Sequence, residues 1–563
     1  MEQKRKISKS DWATIKWMWG TFHKERWHVV VLIITNAINA ILMIMYADFS
    51  KKIINAATQE HSFDRVVYCS VMFLLLIMFQ LFLTLCSNSF SQRCKARIEV
   101  TLRKHILDVV VKKDYQSVAK YHTGEIQNRM TNDVQQISDG FTNILPNLVY
   151  FVVKLISAFI YLIVIDRIFT LVFFVGGVLV CLFSFSFRKI LKKLHKRVQE
   201  TEGTVRSYIQ EILTSLLVVK SFNIEEKVSD NAGELMEVNY KAKMKRRMLG
   251  ILASAGISTT FNLGYVFALA FGAYRLINGL DYGTVTAMLQ LVNQIQQPFA
   301  QLSKTLPSYF ALLASAERII ELDNVKKEFE LNKEDIDVKK TYEELKSIDF
   351  KNLTFAYDRD LILDDTSLVV NKGDFVAIMG ISGIGKSTLL KLLLGVFNLN
   401  GGTITLDTES ENIPVDCHTR KLFSYVPQGN FLMSGSIKDN LTFINSDVTD
   451  EEIKNAVRIS CADQFVYDLP DGLDTVIGER GIGLSEGQLQ RLAIARSILS
   501  KSPIMLLDEA TSALDEATEL RFLKNLKEMQ DKTCIIVSHK TAALEICNKH
   551  IQIIDGKIVV EEK

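Results

Sequence analysis

The chain has 563 residues, 48% hydrophobic and 23% charged, with 66 Lys+Arg against 64 Asp+Glu. High apolar content at a net charge of only +2 excludes a disordered chain, and the near-neutral balance argues against nucleic acid as a main partner. The eight cysteines (Cys69, Cys86, Cys94, Cys181, Cys417, Cys461, Cys534, Cys547) show no CxxC or CxxH spacing, so neither a zinc site nor a disulfide framework is indicated.

In chain order, residues 1–26 form a basic segment that also holds Trp12, Trp17 and Trp19, with Trp27 just beyond. That composition suits a helix lying in a headgroup layer. Six apolar runs follow, near 27–47, 67–87, 145–165, 169–187, 250–277 and 284–302. Each is long enough for a helix to cross about 30 Å of hydrocarbon. The first run starts late and lacks a small-residue cleavage site, so it reads as a retained helix. Lys and Arg at the start and at both flanks of 188–248 place those segments on the cytoplasmic side, and six crossings then return both termini there. The segments 88–144 and 188–248 have few Gly and no Pro, and read as helices extended into the cytoplasm.

Polar residues inside the spans mark the expected substrate path. Lys154 sits in YFVVKLISAF, and Gln290, Asn293, Gln294 and Gln297 recur at i, i+3, i+4 and i+7, one stripe on a helix. Two readings of the stripe stay open: interhelical hydrogen bonding, or the lining of a solvated cavity.

A transmembrane domain over 27–323 is thus expected, then a charged linker over 324–346 and a soluble α/β domain over 347–563. In the last, the strand-like FVAIMG leads into Gly380, Ile381, Ser382, Gly383, Ile384, Gly385, Lys386, Ser387 and Thr388, and then an apolar helical run. This is GxxxxGKS in its strand, loop, helix context. The glycines let backbone N–H groups close round a β-phosphate at a helix N-terminus, Lys386 reaches the β/γ oxygens, and the Ser387 hydroxyl ligates Mg²⁺. About 120 residues on, PIMLLDEATSALD reads as a buried strand ending in Asp508 and Glu509. One carboxylate there suits the Mg²⁺ shell, and its neighbour suits activation of the attacking water. His539 follows another apolar strand, IIVSHK.

LSEGQ at 484–488, followed by LQRLAIARSIL, resembles the signature motif of ABC transporter ATPases. The resemblance implies that Tyr357 stacks on adenine and that Gln428 contacts Mg²⁺ and the attacking water. It implies Asp508 as a metal carboxylate, Glu509 as general base, His539 as a γ-phosphate contact and Asp515 as a contact across a dimer. Ser485, Gly487 and Gln488 would bind the nucleotide held by the opposite subunit, so the working unit is a dimer. YHTGEIQNRMTNDV at 121–134, VVKSFNIEEK at 218–227 and LLASAERI at 312–319 are similar to segments of type IV exporters. TVIGERG is similar to their loop before the signature, where Glu479 and Arg480 would touch the coupling helices.

Six helices plus one ATPase domain make a half-transporter, an α-helical membrane domain followed by an α/β P-loop domain. The implied activity is ATP-driven export of a peptide, an amphipathic drug or a lipid across a bacterial plasma membrane. An importer of the same fold and a nucleotide-gated regulatory or channel-like protein are the alternatives. Glu486 replaces the commoner Gly of the signature, and Ile384 is bulkier than the usual small residue. Neither change removes an atom used on phosphate. Because Glu509, His539, Ser485 and Gly487 are all present, no degenerate site is evident, and a homodimer with two working sites is favoured over a heterodimer.

Overall fold

The six apolar runs each lie within one long helix: α2 (Arg26–Thr58), α3 (Phe63–Lys112), α4 (Thr123–Ile165), α5 (Arg167–Thr214), α6 (Glu225–Ile277) and α7 (Tyr282–Asp323), with α1 (Lys9–Thr21) before them. A computed structural model describes residues 9–328, 336–357, 360–381, 383–429, 432–478, 483–529 and 531–562. The chain divides into two units, one of residues 1–107 and 123–323, the other of 108–122 and 324–563.

In the first unit α2, α4 and α7 pack together, and α5 runs beside α6. Small side chains bring the helices close: Ala47, Ala158, Ala268 and Ala287 lie in one buried cluster with Leu162, Phe169 and Leu291. A Cβ on Gly140 would fall 2.5 Å from the Leu312 side chain, so α4 and α7 approach closely there. Most of the apolar run of α3 is unburied within the unit. Helix α4 carries two π-turns, at Arg129–Asp133 and Gly140–Ile144. The second has a plain cause in Pro146, which lacks an N–H and whose ring crowds the carbonyl of Thr142. That carbonyl instead accepts the Ser91 hydroxyl at 3.4 Å. The first turn presents Arg129 and Asp133, both buried, toward α7, where Asp133 pairs with Arg318 and accepts the Ser315 hydroxyl at 2.9 Å.

The second unit holds two sheets. A four-stranded antiparallel sheet has the order β2 (Asp360–Asn371), β1 (Leu345–Tyr357), β4 (Gly401–Thr408), β5 (Asn412–Pro414). A six-stranded sheet has the order β12 (Lys557–Glu562), β11 (Lys549–Ile554), β3 (Phe375–Met379), β10 (Thr533–Val537), β9 (Ile504–Asp508), β6 (Phe423–Val426), all parallel except β12. The central strands are continuous apolar runs because both faces are covered. One face packs on the antiparallel sheet and α8 (Lys386–Leu393). The other packs on α11 (Glu486–Leu499), α12 (Glu516–Lys527) and α13 (Thr541–Ile546). A helical subdomain of α9 (Ile437–Thr442) and α10 (Asp450–Ile459) leans on α11, and β7 (Gly435–Ser436) pairs with β8 (Val476–Ile477) beside it. Part of the charged linker is helical, over Val338–Glu344, N-capped by the Asp337 carboxylate.

Candidate functional site

Parallel strands end on a common edge, and β3, β9 and β10 deliver the chemistry of the second unit there. After β3 the loop Gly380–Gly385 turns back into α8. Gly385 has φ +113, a conformation costly for any residue with a Cβ, and a Cβ there would also collide with the Ile362 side chain. The Lys386 ammonium lies across this loop, donating to the Gly380 carbonyl at 2.8 Å and the Ile381 carbonyl at 3.1 Å. Gly383 and Thr388 complete the loop and first turn, with Thr388 buried at 7% exposure. Ser382 lies outside the described residues.

At the end of β9, Asp508 is buried and accepts two hydroxyls, Ser387 Oγ at 2.8 Å and Tyr425 OH at 2.9 Å. Burial and the adjoining carboxylate push the Tyr425 phenol above its ordinary range, so it stays a donor. Glu509 follows with a left-handed backbone, φ +51, its N–H held by the Val537 carbonyl. Gln428 Nε2 donates to Glu509 Oε2 at 2.7 Å, and His539 Nε2 stands 3.6 Å from Oε1. The catalytic trio named from sequence therefore meets in one place.

Tyr357 ends β1 half-exposed, its hydroxyl 3.3 Å from Thr388 Oγ1 and its ring edge-on to Phe355 and Phe397. Ser485 N-caps α11 in a capping box: its hydroxyl accepts the Gln488 N–H at 3.3 Å, and the Gln488 side chain accepts the Ser485 N–H at 2.8 Å. The motif residues thereby fix the helix start whose N–H groups and dipole suit an anion. Glu486, the departure from the commoner sequence, is exposed in the first turn, where a carboxylate favours the helix. Gly487 abuts the loop before α12, since a Cβ there would approach the Ala513 carbonyl to 2.9 Å. Asp515 N-caps α12, accepting the Thr518 N–H at 3.0 Å, and that bond holds its carboxyl below the usual range. Glu479 and Arg480 lie outside the described residues.

Four residues were not singled out by motif. Tyr425 is one. Gln490 ties α11 to the same loop, donating to Ser512 Oγ at 2.8 Å and accepting the Ala513 N–H at 3.0 Å. Lys540, next to His539, donates to the carbonyls of Thr511 (2.8 Å) and Leu514 (2.6 Å) and pairs with the buried Glu519 at 3.3 Å. The polar character of Glu519 inside an apolar helical pattern was the available signal.

In the first unit the polar stripe is resolved residue by residue. Gln290 donates to Ser50 Oγ at 3.1 Å and Gln294 to the Met43 carbonyl at 2.8 Å, both on α2. Gln297 accepts the Lys154 ammonium at 2.9 Å, while Asn293 is exposed.

Residues 29–299 match the family model of the ABC transporter transmembrane region, and residues 363–512 that described as ABC transporter. A putative export ATP-binding/permease protein of Rickettsia felis is 29% identical over 551 residues, covering 94% of this chain and 91% of its own. A multidrug resistance ABC transporter ATP-binding and permease protein of Lactococcus lactis is 29% identical, covering 81% and 77%. An ATP-dependent lipid A-core flippase of Syntrophus aciditrophicus is 26% identical, covering 83% and 77%. Among solved structures, a bacterial Atm1-family ABC exporter with ATP bound has the same fold, with a TM-score of 0.80 at 23% identity over 95% of this chain and 94% of that one. The chain belongs to the ABC transporter family, as an exporter-type half-transporter with one membrane domain and one ATPase domain. It is an ATP-hydrolysing transport protein.

Proposed function

We propose that the chain works as a homodimer in a bacterial plasma membrane, exporting an amphipathic cargo by alternating access. One observation carries the hydrolytic part: Glu509 lies between the Gln428 amide and the His539 imidazole, beside an Asp508 already bonded to Ser387. In this reading Lys386 leaves the loop carbonyls for the β/γ oxygens, and His539 contacts the γ-phosphate. Glu509 accepts a proton from the attacking water as that water's oxygen bonds to the γ-phosphorus and the bond to the ADP oxygen breaks. Tyr357 serves the adenine. Ser485, Gly487 and Gln488 serve the γ-phosphate of the opposite subunit, and Asp515 reaches across the same interface.

The donor set fits Mg²⁺: a serine hydroxyl, a buried carboxylate and an amide oxygen are all hard ligands. Ser387, Asp508 and Gln428 would hold it, and when bound it neutralises charge on the phosphates.

ATP-induced closure then turns the cavity from inward- to outward-facing, and hydrolysis resets it. Both termini face the cytoplasm in this scheme. The relatives named for multidrug resistance and for lipid A-core flipping support an amphipathic cargo over a strictly hydrophilic one. A nucleotide-gated sensor has no need of the base that Glu509 provides.

The test is vanadate-sensitive ATPase and cargo uptake into inside-out proteoliposomes by the chain alone, beside Glu509→Gln. Glu509→Gln is expected to lower turnover by about 10²-fold or more while ATP still binds. Hydrolysis at the wild-type rate in that variant would remove Glu509 from its role.

A further inference from the structure

The six apolar runs contain no Asp or Glu, and their two fully charged side chains are Lys154 and Arg275. Arg275 is neutralised at the end of its helix by Asp166 at 2.9 Å. Among the described residues Lys154 has no such partner. It is 1% exposed, its ammonium held by one neutral acceptor, Gln297 Oε1, and set 5.6 Å from the Tyr150 ring centroid. It lies about 18 Å along α4 from Asp166, past the middle of a 30 Å hydrocarbon layer and well beyond side-chain reach of that carboxylate.

Within hydrocarbon an unpaired ammonium is among the costliest groups a helix can carry, and such residues face a partner, a cavity or a ligand. A second copy of this chain cannot supply the counter-charge from its own spans, because those spans are equally free of acids. The spans of neither copy hold the missing charge, which leaves an incoming anion to supply it. Gln297 is exposed, so the acceptor now on Lys154 is also the group an incoming oxygen would meet first. Gln294, one turn away on α7, keeps a buried side-chain oxygen without a partner, so this stretch has polar capacity to spare.

We infer that Lys154 and Gln297 form the recognition point for an anionic amphiphile, a phosphate- or carboxylate-bearing molecule whose acidic head replaces Gln297 on the ammonium. This rests on the exporter reading and deepens it, narrowing the cargo from amphipathic to negatively charged. The phosphate of a bilayer lipid and that of a free alkyl phosphate share this chemistry.

The experiment is equilibrium binding of radiolabelled dodecyl phosphate to the full chain in phosphatidylcholine nanodiscs without nucleotide, with dodecyl maltoside and dodecyl trimethylammonium as controls. Lys154→Gln is expected to weaken dodecyl phosphate about tenfold or more, and Lys154→Arg to retain it. Gln297→Glu supplies an internal carboxylate without disturbing Lys154 packing, and should weaken the anion as strongly while leaving the maltoside unchanged. Competition by added phosphatidylglycerol would support the site with a bilayer lipid as its source, and binding without that competition would support it with a free amphiphile. Equal anion affinity in wild type, Lys154→Gln and Gln297→Glu would overturn the inference, as would a maltoside that binds and falls in parallel. Because no nucleotide is present, this outcome is separable from failure of the exporter reading, which shows instead in the Glu509→Gln uptake assay.

Discussion

Glu509 occupies a left-handed backbone that costs a residue with a Cβ about 1–2 kcal/mol. Glutamine bears the same cost, so Glu509→Gln isolates the carboxylate from the strain. Tyr425 invites a second single-residue test. Tyr425→Phe removes one of the two donors to buried Asp508, and leaving that oxygen unmatched should cost about 1–3 kcal/mol, read as a fall in melting temperature of the nucleotide-free protein. An unchanged melting curve would show that the tyrosine only fills space. The phosphate loop, Asp508, Glu509 and His539 were legible in the sequence because each is a fixed offset from an apolar strand. Tyr425 was not, since a tyrosine within FSYV reads as strand packing until β6 is seen beside β9. Lys154 was visible as an anomaly, but its single neutral partner became visible only when α7 was set against α4.

Among the elements, α11 combines two duties at its N-terminus, capping and presenting Ser485. They can be separated. Ser485→Ala should lose about 1 kcal/mol of stability with the cap, whereas Ser485→Asp keeps a cap and repels phosphate. The expected result is near-native melting with lost turnover in the aspartate variant; full activity there would take Ser485 out of the nucleotide site. Helix α12 carries a pH signature. The Asp515 carboxyl is held low by the Thr518 N–H, so its stabilising share is present above the ordinary carboxylate pKa of about 3.9 and disappears as pH falls through its lower folded value. Asp515→Asn should flatten that part of the acid limb in denaturant titrations. Glu519, inside the same helix, is 1% exposed and neutralised by Lys540. Lys540→Met alone should cost about 3–5 kcal/mol by stranding that carboxylate, and adding Glu519→Leu should recover most of it. The six long helices were readable from run length. The π-turns of α4 were not, because hydrophobic period carries no mark of a single widened turn.

At the scale of the molecule, the two sites of the proposed homodimer would share signature helices and should not fail independently. Mixing wild type with Glu509→Gln before reconstitution should depress ATPase activity below the linear dilution line; a strictly linear series would point to sites that work alone. Composition changes between the membrane and ATPase halves, yet the second unit also takes in Asp108–His122 from the end of α3 onward. There Tyr115 meets Phe397 edge-on, and Asn398 donates to the Asp114 carboxylate at 3.3 Å. No local pattern marks a few residues between two apolar runs as belonging to a sheet domain far downstream. Synthesis on the ribosome inherits the consequence. A stretch translated early must wait more than four hundred residues for β11 to emerge, roughly 20–90 s at about 5–20 residues per second. The four later apolar runs are translated within that interval, so the ATPase unit cannot be finished before the helices of the membrane unit have been made, and a chain released early lacks its last strands.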